Sequence, residues 1–145
     1  MRVLVQRSGK SSVSVDNKIV GSIDNGLVIL VGFTQDDDIE KIKYLAKKVV
    51  NLRIFPDDND VMNKSILDYG GSILSISQFT LYGDASKGNR PSYVKALNGE
   101  YSTKLYDQFN EELRTYGVSV ETGIFGADMD VSITNIGPTT ILLEK

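Results

Sequence analysis

Alternating apolar positions open the chain. Val3 and Val5, then Val13 and Val15, flank Ser8-Gly9-Lys10-Ser11-Ser12 and predict two strands between Arg2 and Val15. Asp16-Asn17 marks a turn, and Lys18 to Ile23 resumes as a short strand. Asp24-Asn25-Gly26 predicts a hairpin, because Asn-Gly accepts the positive φ angles of a tight turn. The run Leu27 to Phe33 is almost continuously apolar and rich in β-branched residues, which predicts a strand covered on both faces. The period then changes to helical. Ile39, Ile42, Leu45, Ala46, Val49 and Leu52 define a stripe, with Asp37 as the expected N-cap and Glu40 completing a capping box. Lys41, Lys43, Lys47 and Lys48 fall mostly off that stripe and read as a solvated face.

Beyond Arg53-Ile54-Phe55-Pro56 lies the acidic loop Asp57-Asp58-Asn59-Asp60. It does not fit a calcium loop, because Val61 stands where an oxygen ligand is needed and the turn glycine is missing. Asp68-Tyr69-Gly70-Gly71 predicts a turn, and Ser72 to Leu81 a strand whose two faces both mix apolar and polar residues. Polar groups inside a central strand signal either satisfied buried hydroxyls or a site. Tyr82 to Ser92 reads as a loop with Lys87-Gly88-Asn89-Arg90-Pro91 at its tip. A second helix is predicted from about Asn98 to Tyr116, with Tyr101, Leu105, Phe109 and Leu113 on its core stripe and Gly117 after its end. Val118-Ser119-Val120 resumes a strand, followed by a glycine-punctuated loop, Thr122 to Asp128. Val131 to Thr134 and Thr139 to Leu143 then read as strands on either side of Asn135-Ile136-Gly137-Pro138. Pro lacks a ladder N–H and Gly reaches angles closed to other residues, so Gly137-Pro138 is either a hairpin turn or a rigid device presenting its carbonyls. The fold class expected is a β-rich α/β single domain over residues 1–145, with mostly antiparallel strands and two main helices.

Composition narrows the chemistry. The chain has 145 residues, 41% of them hydrophobic, as in an ordinary globular domain. No apolar run approaches the ~18 residues of a membrane span, and the N-terminus turns polar too early for a secretory signal, so a cytoplasmic location is expected. There is no Cys and no His. Thiol nucleophiles, Ser-His-Asp relays and Cys- or His-based metal sites are therefore excluded. No metal and no cofactor is expected. Catalysis must draw on hydroxyls, carboxylates, Lys, backbone groups or the substrate itself. A net charge of −3 argues against an extensive duplex footprint but leaves room for a protein that grips only a nucleic-acid end. No Walker or Rossmann glycine pattern is present. Ser77-Gln78-Phe79-Thr80 could house a nucleophile, but with no His, Thr80 would need a Lys, a carboxylate or a substrate group as its base.

Ser77-Gln78-Phe79-Thr80-Leu81 and Asn135-Ile136-Gly137-Pro138-Thr139-Thr140 together resemble the D-aminoacyl-tRNA deacylase family. The likeness continues through Val5-Gln6-Arg7, Asn51 to Phe55, Lys87 to Ser92 and Phe125-Gly126-Ala127-Asp128-Met129, in order and over nearly the whole length. The resemblance implies a homodimeric hydrolase of translation quality control. Its partner would be aminoacyl-tRNA, bound by the 3′-terminal adenosine and its amino acid, with D-aminoacyl and mischarged glycyl esters cleaved. It also implies that the Gly137-Pro138 bond is cis and enters the partner subunit's site, where its carbonyls exclude an L-side chain, with Arg7 helping to hold it. Ser77, Gln78, Phe79 and Thr80 would line the site around the ester and terminal ribose, and Phe125 and Met129 would contact the adenine. Lys87, Arg90 or the Lys41 to Lys48 face would supply a few phosphate contacts. Thr139, Asp130 and Ser8 stand where the family usually has Val, Gln and Val, departures that bear on packing or tRNA preference. Two other readings remain: a non-catalytic module binding aminoacyl-tRNA ends, and a general Thr-dependent esterase.

Overall fold

The computed structural model describes residues 1–145. Strand β1 (Arg2–Ser8) lies between β10 (Asn135–Glu144) and β4 (Gly26–Gly32), antiparallel to both. Strands β7 (Ser72–Ser77) and β8 (Val120–Thr122) extend this sheet in parallel, giving the order β10-β1-β4-β7-β8. A second, three-stranded antiparallel sheet contains β2 (Ser11–Val15), β3 (Lys18–Ile23) and β9 (Asp130–Ser132). The remaining pair, β5 (Phe55–Pro56) with β6 (Met62–Lys64), frames the acidic loop. There Asp57 Oδ1 accepts from the Asn59 and Val61 backbone N–H groups, closing a turn rather than preparing a cation site.

Burial follows from this layering. Leu27, Ile29 and Val31 of β4 pack on the helix side with α1 (Ile39–Asn51) and α3 (Glu100–Thr115), while Val28, with Leu74 and Ile76 of neighbouring β7, meets Val13 and Ile23 of the second sheet. The expected two-sided cover of β4 is therefore present. Asp16 and Asn17 both take positive φ, 50° and 61°, and join β2 to β3.

Several expectations need correction. Asp24-Asn25-Gly26 is not a hairpin, because β3 and β4 belong to different sheets. The N-cap of α1 is Asp38, whose carboxylate accepts from Lys41 N at 3.0 Å. Asp37 is buried instead against the Met1 ammonium at 2.6 Å and accepts from Thr34 N at 2.8 Å. Tyr101 is 54% exposed, so it leaves the core stripe, whereas Phe109 is fully buried. A short helix, α2 (Ile66–Tyr69), takes in the first two residues of the predicted turn, Asp68 and Tyr69, and starts with a Ser65–Asp68 capping box.

The two segments carrying the resemblance also differ from a plain strand reading. Strand β7 stops at Ser77, and Phe79–Tyr82 forms a 3-10 turn. Gly137-Pro138 is not a hairpin either. One strand, β10, runs through it, and the Gly137–Pro138 peptide is cis. Gln6 pairs with Thr140 and Ser8 with Asn135, so the four residues Ile136 to Thr139 face the single residue Arg7. The excess chain stands out from the sheet as a protrusion.

Candidate active site

The site begins where the parallel ladder ends. Gln78 N donates to Val31 O at 2.7 Å, and then Gln78 leaves extended geometry with ψ 82°. The chain tightens into the Phe79–Tyr82 turn, closed by Gly83 N donating to Thr80 O at 2.9 Å. The opening N–H groups of such a turn have no partner inside it. Gly32 makes the close approach possible, since a Cβ there would stand 2.9 Å from the Gln78 carbonyl oxygen. Arg2 holds the far side of the turn. Its Nη1 donates to Leu81 O at 2.8 Å, and its guanidinium lies 4.6 Å from the centre of the Tyr82 ring. Burial pushes the Tyr82 hydroxyl up to about 12, with the Asp37 carboxylate adding to the shift and Arg2 opposing it.

A cavity of about 410 Å³ opens beside this turn. Ser77, Gln78 and Phe79 form one wall, and Phe125 and Met129 another. Thr80 adjoins the cavity on the turn but is not part of its wall. Its hydroxyl accepts a hydrogen bond from the Gln78 side-chain amide. Such a donor withdraws charge from the oxygen and does nothing to take up its proton. Gly126, Ala127 and Asp128, together with Gly99 at the start of α3, complete the rim. The signal for Gly126 to Asp128 lay in their continuity with Phe125 and Met129, while Gly32 and Gly99 carried none that a local pattern could reveal.

Arg7, Gly137 and Pro138 lie elsewhere. Arg7 pairs with Leu27, at the opposite end of β4 from the cavity residue Gly32. Five residue steps along the strand separate these positions, a run of about 17 Å. Arg7 Nε donates to Ile136 O at 3.3 Å and its Nη1 to Ile54 O at 2.7 Å, so one guanidinium ties the base of the protrusion to the loop after α1. Gly137 and Pro138 are solvent-exposed. Gly137 takes φ 117°, and a Cβ on it would meet Thr139 Oγ1 at 2.6 Å and Arg7 Nη2 at 2.9 Å. Within one chain the protrusion and the cavity therefore do not meet.

Comparison with known proteins matches this architecture to one family. The model of the D-Tyr-tRNA(Tyr) deacylase family matches residues 4–144. A D-aminoacyl-tRNA deacylase of Bacillus cytotoxicus is 56% identical over 100% of this chain and 99% of the relative. Another from Fervidobacterium nodosum is 58% identical over 100% and 97%. A solved structure named c-Myc DNA Unwinding Element Binding Protein superposes with a TM-score of 0.93 at 36% identity, covering 100% of this chain and 99% of that one. A probable eukaryotic D-amino acid tRNA deacylase shares the fold, with a TM-score of 0.82 at 20% identity over 98% and 97%. The chain belongs to the D-Tyr-tRNA(Tyr) deacylase family.

Proposed function

We propose that the protein hydrolyses the ester of D-aminoacyl-tRNA, releasing a free D-amino acid and tRNA, and rejects L-aminoacyl-tRNA. The observation that carries this reading is full-length membership of the deacylase family joined to a cavity walled by Ser77, Gln78 and Phe79. The cavity suits a terminal nucleoside and its amino acid, with Phe125 and Met129 against the base. Glycyl-tRNA is accepted as well, since a filter acting on the side chain has nothing to reject. A tRNA substrate supports a cytoplasmic location. No helix is long and apolar enough to cross a membrane.

The protrusion supports a homodimeric site. Its base lies about 13 Å along β4 from Val31, the nearest cavity residue of that strand, which supports a Gly137-Pro138 filter acting on a second copy's substrate. Carbonyls at the protrusion tip then occupy the space an L-side chain would need, while the α-hydrogen of a D-residue clears them. Arg7 acts through Ile136 to hold that tip.

Hydrolysis follows without an enzyme nucleophile. The 2′-hydroxyl of the terminal ribose assists water, and the free N–H groups opening the Phe79–Tyr82 turn stabilise the oxyanion. Gln78, which already donates to Thr80, helps to order the wall. Duplex DNA binding, raised by the name of one structural relative, is less favoured by a net charge of −3.

Incubation with D-Tyr-tRNA and L-Tyr-tRNA tests the reading. Release of D-Tyr with L-Tyr-tRNA left intact is expected. Binding without release would point to a non-catalytic end-binding module, and hydrolysis of simple esters without tRNA to a general esterase.

A further inference from the structure

The segment between the 3-10 turn and α3 joins Lys87 and Arg90, expected above to meet phosphates, to an aromatic pair and a third cation that the deacylation reading leaves unused. Phe79 on the cavity wall is 49% exposed, and its ring meets Tyr93 edge to face, with centroids 5.1 Å apart and planes at 70°. Tyr93 is itself 37% exposed. The pair is built rather than incidental. Gly83 leaves room for the Tyr93 ring, since a Cβ there would stand 3.0 Å from its Cε1. Asp84 and Ser92 exchange backbone hydrogen bonds of 2.9 and 2.8 Å, closing the loop at its base. The returning limb is fastened to the cavity wall, because Leu97 N donates to Phe33 O at 2.9 Å and Thr34 Oγ1 donates to Lys95 O at 2.7 Å.

Charge on this segment runs against that of the whole molecule. Lys87, Arg90 and Lys95 are exposed, and none takes part in the ion pairs of the structure. The one acid on the segment, Asp84, is engaged with Ser86 N at 2.9 Å. Exposed aromatic rings on the same segment as unpaired cations are what single-stranded nucleic acid needs: bases stack on the rings while phosphates meet the cations.

We infer that Tyr93, packed edge to face against Phe79, and the cations Lys87, Arg90 and Lys95 bind the single-stranded polynucleotide immediately preceding the terminal nucleoside. This rests on the deacylase reading, which puts only that nucleoside and its amino acid in the cavity. Because Phe79 belongs both to the cavity wall and to the aromatic pair, a strand leaving the cavity passes directly onto Tyr93. The loop supplies affinity for the polynucleotide and leaves the reacting ester to the cavity.

The test compares D-Tyr-tRNA with D-tyrosyl-adenosine, an ester of the same nucleoside with no chain attached. In the variant combining Lys87→Gln, Arg90→Gln and Lys95→Gln, KM for D-Tyr-tRNA should rise about tenfold or more at unchanged kcat. The log–log salt slope of kcat/KM should become shallower by about 2, three single-strand phosphate contacts at roughly 0.7 each. Tyr93→Ala should raise the same KM about tenfold with little change in slope, and Tyr93→Phe should restore it. D-tyrosyl-adenosine hydrolysis should be unmoved in all three. Equal losses on both substrates would overturn the inference, since the loop would then serve only to position Phe79. Unchanged KM for tRNA, or a change of oligomeric state that accounts for the loss, would overturn it too. If the unaltered protein hydrolyses neither substrate, the deacylase reading fails, and this inference falls with it.

Discussion

A methyl group at Gly137 would stand 2.6 Å from Thr139 Oγ1 and 3.0 Å from Thr139 N, on a backbone at φ 117°. Arg7 could swing away, but the Thr139 backbone cannot. Gly137→Ala should therefore reshape the tip at a cost of about 1–3 kcal/mol. Deacylation of L-Tyr-tRNA should rise while that of D-Tyr-tRNA persists, as paired D and L assays would show. Thr80 offers the opposite expectation. Its hydroxyl faces an amide donor and no base, so Thr80→Ala should keep activity within about tenfold, whereas loss of a true nucleophile costs on the order of 10⁴ or more. Background-level activity in a folded variant would restore the acyl-enzyme route. Tyr82 gives a third test. Its folded pKa lies near 12, above the ordinary 10.0, so burial favours the neutral phenol. Its contribution to stability is complete below pH 10 and is lost as pH rises through about 12. An ultraviolet titration should show late-ionising tyrosines, since burial raises Tyr106 as well as Tyr82, and one fewer of them in Tyr82→Phe. The motif residues were legible in the sequence because they are contiguous. That Thr80 has no His as a base followed from the composition, but its amide partner needed the turn geometry.

At the level of elements, local patterns found most of the strands and both long helices and misplaced what distant contacts decide. Three successive aspartates could each cap α1. The choice of Asp38 follows from the Met1 ammonium claiming Asp37, across 36 positions of sequence. Tyr101 illustrates a different failure. Steps of four residues drift around a helix of 3.6 residues per turn, and two such steps rotate Tyr101 roughly 80° away from Phe109. The buried face is carried instead by Ser102, Leu105, Tyr106, Phe109, Asn110 and Leu113. Thermal or urea unfolding should separate these positions. Phe109→Ala should cost about 3–5 kcal/mol, Tyr101→Ala within about 0.5 kcal/mol, and Asp38→Ala about 1 kcal/mol through loss of the cap. The pairing of β4 with β1 rather than β3 was equally hidden, since Asn25-Gly26 turns the chain without saying which sheet it enters.

The molecule as a whole poses the question that no single element answers. Its motif residues fall into two groups at opposite ends of one sheet, Ser77 to Thr80 at one and Arg7 with Gly137-Pro138 at the other. If both groups serve one reaction, each working site is assembled from two chains, and that can be tested by mixing variants. Gln78→Ala disables the cavity wall but keeps an intact protrusion, whereas Gly137→Ala keeps the cavity and loses the filter. Alone, the first should be nearly inactive and the second active but poorly selective. After exchange with a large excess of the Gln78→Ala chain, nearly every Gly137→Ala chain is paired with a partner whose protrusion is intact. Its cavity then receives a functional filter, and the ratio of D-Tyr-tRNA to L-Tyr-tRNA deacylation should climb back toward that of the unaltered protein. A filter acting within its own chain predicts a ratio that stays at the Gly137→Ala value whatever the mixing proportion. Because the quantity followed is a ratio, the inactive Gln78→Ala homodimers do not distort it, and the result depends only on which chain supplies Gly137.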